Sequence, residues 1–230
     1  MLLVLIMVKK RTKREETSRN VQKKILDVSI DLFKKQGFKT TTVRQIIKKA
    51  GITTGTIYHF FRDKEDILLQ TTLITYNEAM KAADEIAGKI AKTRNNMALR
   101  YAIIYALEMK GVERYDRVAE LYLDSYSSSR ITEVMMPMNI ERNRLFFHQY
   151  NPDWTEREYY IRTLALRGMR LAFIAERVHS GKIDFQEKCA FLIEAGLGMF
   201  NVPQKKIRSS VSAALSLTQD DRFIIQGYNI

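Results

Sequence analysis

Gly51 stands between two short segments, Val43–Ala50 and residues 54–61, whose apolar side chains recur at helical spacing. Two helices this short, meeting at a glycine, leave few architectures open. Val43, Ile46, Ile47 and Ala50 form the inward face of the first, Ile57 with Phe60 or Phe61 that of the second, and Ile52 fills the angle between them. Ala50 and Gly51 are small where the two helices must approach closely. Thr53 is placed to cap the second helix, which leaves that helix's first amides and short side chains available to an anion. Such a pair predicts a helix-turn-helix, whose first helix crosses a nucleic-acid backbone while the second enters the major groove.

The remainder of the chain reads as helical almost throughout. Strand signals are nearly absent, and 230 residues contain only three prolines and ten glycines. The spacing predicts helices over residues 19–36, from Lys64 (capped by Asp63) towards Ile90, and over 97–109, 112–126, 131–150, 155–179, 185–200 and 204–217. Residues 93–96 offer a cap for the helix that follows them, and Pro137 is expected to kink or split the 131–150 segment. The expected fold is all-α. An N-terminal three-helix helix-turn-helix domain covers residues 18–66 and a larger C-terminal helical domain covers 67–217, between a flexible basic arm (1–17) and a C-terminal tail (218–230).

Charge separates the two domains. Residues 1–66 carry 16 Lys and Arg against 7 Asp and Glu, whereas the other 164 residues carry 22 against 19. A basic head on a nearly neutral body predicts a polyanionic partner for the head, with solubility alone as the competing account. The apolar start, Met1 to Val8, is far shorter than the ~20 residues that span a bilayer. The basic cluster Lys9 to Arg14 follows it instead of preceding it, so neither a membrane span nor a signal peptide is expected, and Met7 is the expected natural start. The single cysteine, Cys189, allows no disulfide within the chain and fits a cytoplasmic location. His59, His148 and His179 lack partners at ligand spacing, and no Gly-rich phosphate loop or zinc pattern occurs. The chain is therefore expected to be no enzyme and to carry no metal or cofactor.

The run from Gly37 to Ile67 resembles the signature of the TetR/AcrR family, G-F-x-x-T-T-V-x-x-I-A-x-x-A-G-V-S-x-G-T-I-Y-x-Y-F-x-x-K-E-x-L. Ile47 replaces the usual alanine, Thr53 the usual serine and Phe60 the usual tyrosine, and none of these removes a group the chemistry needs. The resemblance implies a DNA-binding transcriptional regulator of the ligand-released repressor type. Thr42 then contacts phosphate at a helix start, and Arg44 reads a base, its fork suiting guanine O6 and N7. Thr54, Gly55 and Thr56 form the tip of the recognition helix, which Thr53 opens and joins in binding DNA, Tyr58 and His59 add backbone and base contacts, and Lys64 anchors a phosphate. Thr42 and Thr53 serve equally as plain caps.

Past about residue 70 the resemblance fades. Residues 155–179 are apolar on more than one face and carry the small Ala165, Gly168 and Ala172, and Gly196 lies in the similar segment 185–200. The family builds its dimer interface there, which implies a homodimer reading a pseudo-palindromic double-stranded operator. It also implies a small-molecule effector whose binding displaces the helix starting at Lys64 and changes the separation of the two heads. The aromatic- and Met-rich middle supplies candidate pocket residues: Tyr101, Tyr105, Tyr122, Tyr126, Met135, Met136, Phe146, Phe147 and Met169. They suggest an apolar or aromatic effector, and plain core is the competing reading. The competing functions are a nonspecific or architectural nucleic-acid binder, a helical domain with a vestigial head, and an activator instead of a repressor.

Overall fold

The computed structural model describes residues 13–91 and 96–219, and its contacts divide the chain into two compact units that meet between Ile67 and Leu68. Among the described residues the regular structure is all helical, with no strand.

In the first unit, α1 (Lys13–Gln36), α2 (Val43–Ala50) and α3 (Thr54–Phe60) precede the first turn of α4 (Lys64–Ala91). The described part of α1 already includes residues 13–18, so the helix extends further towards the N-terminus than the expected start at Arg19. Residues 13–17 of the expected flexible arm are thus helical; the rest of that arm, with Met7, lies outside the described residues. The buried face of α1 is Ile25, Leu26, Ser29, Leu32 and Phe33. Ser29 is tolerated there because its hydroxyl donates to the Ile25 carbonyl at 2.7 Å.

The second unit is built around α5 (Met97–Arg114), which packs against α6 (Asp116–Ser127), α7 (Ser129–Phe147), α8 (Glu156–His179), α9 (Phe185–Met199) and α10 (Gln204–Thr218). Nearly every residue of α5 from Ala98 to Val112 is buried, as a helix apolar on all sides requires. The break expected after Met109 does not occur. Lys110 is buried with its ammonium donating to the Thr218 carbonyl at 2.8 Å, so a polar residue here marks a tether and the helix runs on to Arg114. Pro137 likewise leaves α7 unbroken; both Pro137 and Glu133, whose carbonyl loses its partner, are exposed to water.

Helix ends follow the sequence closely. The side chain of Asn96 accepts from the Leu99 amide at 3.1 Å, Ser128 caps α7, and Thr155 with Glu158 forms the capping box of α8. The cap candidates at 93–95, and the tail from residue 220 onward, lie outside the described residues. Phe147 stacks on Phe200 with centroids 4.5 Å apart, and Tyr101 meets Phe147 edge-on at 5.4 Å. Asn151 ties the two ends of this cluster by donating to the Phe147 and Phe200 carbonyls at 3.0 and 2.8 Å. Cys189 is buried, and burial pushes its thiol up to about 12. Among the described residues no helix is long and apolar enough to cross a membrane.

Candidate functional site

In the first unit, the turn at Gly51 takes the left-handed conformation (φ 62°, ψ 43°), in which its amide closes α2 onto the Ile47 and Lys48 carbonyls. A side chain at this position would be strained, so the glycine is a requirement of the turn. Ile46, Ala50, Ile57 and Phe61 are buried, which fixes the inward faces of α2 and α3. Their outward side chains are Thr42, Arg44, Thr53, Thr54, Gly55, Tyr58 and His59, all exposed, with Tyr58 at 55%. Thr56 is half-buried, and its hydroxyl is 2.9 Å from that of Thr53.

Both short helices are capped as their sequence predicts. Thr42 accepts from the Gln45 amide at 3.2 Å while Gln45 Oε1 accepts from the Thr42 amide at 2.7 Å. Gln36 Nε2 donates to the same Oε1 at 3.1 Å and to the Thr41 hydroxyl at 3.2 Å, joining α1 to the start of α2. The sequence reading missed this network; the Gln45 at the third position of α2 was its signal. Thr53 accepts from the Thr56 amide at 3.2 Å. Gly55 is different from Gly51: a β-carbon there would meet nothing closer than Thr53 Oγ1 at 3.9 Å. The fold does not demand glycine at 55.

Two cations depart from expectation or are already engaged. Lys64 does not extend as a free anchor. Its ammonium donates to the carbonyls of Phe38 (2.7 Å), Thr41 (2.8 Å) and Lys39 (3.3 Å) and sits 4.3 Å from the centroid of the Phe38 ring. The lysine that the signature suggests for phosphate therefore closes the 38–41 loop of its own head. Lys49 pairs with Asp31, which Lys35 also reaches at 3.1 Å, and the Lys49 hydrogen bond holds the Asp31 carboxyl below its usual range. Arg44, in contrast, makes no hydrogen bond or ion pair within the described residues, so its fork is available on the exposed face of α2.

In the second unit, the candidate pocket residues part company. Tyr101, Phe146 and Phe147 are core, each at most 5% exposed, and Tyr122 and Met169 pack against that core. Tyr105, Tyr126, Met135 and Met136 line a cavity between α5, α6, α7 and α8. The rest of its wall is polar, with Arg142, Arg167 and Arg170 among the lining residues. The arginines were missed because an all-apolar pocket was expected.

The small residues of α8 and α9 also divide. Ala165, Gly168 and Ala172 are exposed, together with Tyr160, Ile161 and Leu164 on α8 and Phe191 on α9, the large side chains being 47–54% exposed. Gly196 instead faces inward beneath the Tyr101 ring, so it belongs to the core and not to an outward interface.

Residues 25–71 match the profile of the bacterial regulatory proteins of the tetR family. The first unit of the chain thus carries the DNA-binding domain of the tetR family of regulators. Among curated relatives, it is 44% identical to the transcriptional regulator HbdR of Aromatoleum sp. (strain CIB) over 57 residues, 24% of this chain and 25% of that protein. It is 30% identical to the regulator AcrR of Shigella flexneri over 109 residues, 47% of this chain and 49% of that protein. The chain thus spans a quarter to a half of the length of these two relatives. Solved structures extend the likeness in fold beyond the first unit. RolR bound to the ligand resorcinol superposes with a TM-score of 0.65 at 18% identity, covering 86% of this chain and 96% of RolR. SmeT, the repressor of the Stenotrophomonas maltophilia multidrug efflux pump SmeDEF, gives 0.56 at 14% identity, covering 80% and 94%.

Proposed function

We propose that this chain is a dimeric DNA-binding repressor that reads a pseudo-palindromic operator through α3 and is released by a small molecule. The observation that carries the reading is the sidedness of the first unit. Ile46, Ala50 and Ile57 are buried, while Arg44, Thr54, Gly55, Tyr58 and His59 stand exposed on capped helices joined by a left-handed glycine. Hydroxyls, an unpaired guanidinium and an unobstructed glycine suit phosphate oxygens and base edges. In this reading Arg44, Thr54 and His59 read bases, while Thr42, Thr53, Gly55, Thr56 and Tyr58 approach or position the phosphate backbone. Lys64 acts by holding the loop before α2.

The exposed stripe of α8 supports the dimer. Ile161, Leu164, Ala165, Gly168 and Ala172 follow helical spacing along one face, and a β-carbon on Gly168 would meet nothing within 4 Å. Its smallness has no use inside one subunit, whereas a second helix crossing there would need it. For release, the effector must favour the DNA-incompetent state, and α4 is one unbroken helix from Lys64 to Ala91 that could carry the change. Binding of resorcinol by RolR and repression by SmeT are properties of those proteins that fit this reading.

Footprinting with the full chain across its own upstream region and neighbouring genes tests the proposal. A protected inverted repeat with half-sites about one or more DNA turns apart is expected. Equal affinity for every duplex, governed by salt alone, would identify a nonspecific binder instead.

A further inference from the structure

We propose that the cavity between α5, α6, α7 and α8 binds a small monocarboxylic acid, with Arg142 as the ion partner of its carboxylate. The inference rests on the effector-released reading above and names the chemistry of the effector. It adds a carboxylate to the apolar or aromatic effector that the sequence suggested.

Three guanidinium groups line this cavity, and only one is matched by a carboxylate within the described residues. Arg170 is taken by Glu108, whose two oxygens accept from its Nη2 at 2.5 and 2.6 Å. Arg167 donates to the Thr132 hydroxyl at 2.6 Å and to the Tyr126 carbonyl, both neutral. Arg142 is 6% exposed and donates to neutral acceptors: Asn143 Oδ1 at 3.2 and 3.3 Å, and the Tyr105 hydroxyl at 3.3 Å. Tyr76, whose side chain hydrogen-bonds with Arg142 and whose ring centroid lies 5.8 Å from the guanidinium carbon, is a further neutral partner and adds no anion. The Nη1 of Arg142, with two further N–H groups, is used by neither Asn143 nor Tyr105.

A buried guanidinium without an anion is a cost to folding that packing alone does not repay. An apolar residue of similar length would fill the same space. Arg142 is nevertheless held firmly: Asn143 accepts from it and in turn donates to the Thr163 hydroxyl at 2.9 Å, so the fork is oriented across α7 and α8. An oriented fork that meets only neutral acceptors suits a planar carboxylate, which can replace them with two parallel hydrogen bonds. Met135, Met136 and the Tyr126 ring supply the apolar side of the same cavity and so a place for a short hydrocarbon or aromatic body. The cavity volume is about 20 Å³, room for a water-sized group. The acid must therefore displace side chains on entry, and unbranched methionines are the ones that yield most readily. That displacement would couple occupancy to helix position.

The test is calorimetric titration and thermal denaturation of the full chain with benzoate and hexanoate, against benzamide and hexanamide. Saturable binding of at least one carboxylate, roughly tenfold or more tighter than its amide, is expected. Arg142→Gln should lose that binding while melting at the same temperature as the parent or higher, since it removes an unmatched buried charge. Should Arg142→Gln fail to fold, the more exposed Arg167→Gln should weaken the carboxylate and leave the amide unchanged. No binding by either acid, equal binding of acid and amide, or wild-type binding by Arg142→Gln would overturn the proposal. Gel shifts on the same preparations separate the two readings. Operator binding without carboxylate binding removes only this inference, and carboxylate binding without any operator removes only the regulatory one.

Discussion

The Tyr101 ring occupies the space that a side chain at position 196 would need. A β-carbon built on Gly196 would overlap the Tyr101 hydroxyl and lie 2.8 and 3.0 Å from ring Cζ and Cε1. Tyr101 cannot step aside, because it is fully buried between Tyr105 (4.3 Å) and Phe147 (5.4 Å). Gly196→Ala is therefore an overpacking substitution and should destabilise the chain by about 1–3 kcal/mol. Chemical denaturation measures it. Tyr101→Phe in the same chain should return part of the loss by removing the overlapping oxygen, and additive effects of the two changes would refute the contact.

The contrast between Gly196 and Gly168 shows what the sequence could and could not convey. Helical spacing, caps and the Gly51 turn were legible because each is set by residues within about four positions of one another. The exposed faces of α2 and α3 followed from the same local periodicity. Two glycines in adjacent small-residue helices look alike in sequence, yet one is filled by a tyrosine from a distant helix and the other faces open space. The same limit hid the role of Lys64, whose carbonyl partners lie 23 to 26 positions away. It also hid the arginine-lined cavity, since Arg142, Arg167 and Arg170 look like solvated charges until α7 and α8 pack.

Lys64 and Arg44 should now fail in different ways. Lys64→Met keeps the stem over Phe38 but removes the donor to three carbonyls, and a charged donor at such sites is worth about 1–3 kcal/mol. A lower melting temperature with an unchanged salt slope of DNA binding is expected. A slope reduced by about one with unaltered stability would restore the phosphate-anchor role. Arg44→Ala should leave stability unchanged and weaken the preferred duplex by about 1–3 kcal/mol more than an unrelated one. Competition gel shifts decide this, and undiminished selectivity would remove Arg44 from the base readers.

On the exposed stripe of α8, Leu164→Asp should shift the chain towards monomer without lowering its melting temperature in the dilute, monomeric regime. Leu164 is 48% exposed, so the single subunit loses little packing, whereas a carboxylate placed in an apolar interface must be desolvated. Sedimentation over a range of concentrations reads the dissociation. A dimer that persists with parental affinity would place the interface elsewhere.

Acid sensitivity should be traceable to the ion cluster at the end of α8. Lys188 has no exposed surface, and its ammonium lies 3.3 Å from Glu176 and 3.4 Å from Glu113. Burial raises the Glu176 carboxyl, but the Lys182 amide, the Ser180 hydroxyl, Lys188 and the Ile183 amide outweigh it and hold the group down at about 2. The folded value lies below the ordinary carboxylate value near ~4.3. The stability that Glu176 contributes is therefore full above the ordinary value and is lost as pH falls through that window towards about 2. Glu176→Gln should melt below the parent at pH 7, with the gap closing steadily below pH ~4 as the parent's carboxyl takes up its proton. A gap that stays constant from pH 7 to pH 3 would mean that the glutamine variant fails through lost shape and hydrogen bonding, and that the charge facing Lys188 adds nothing.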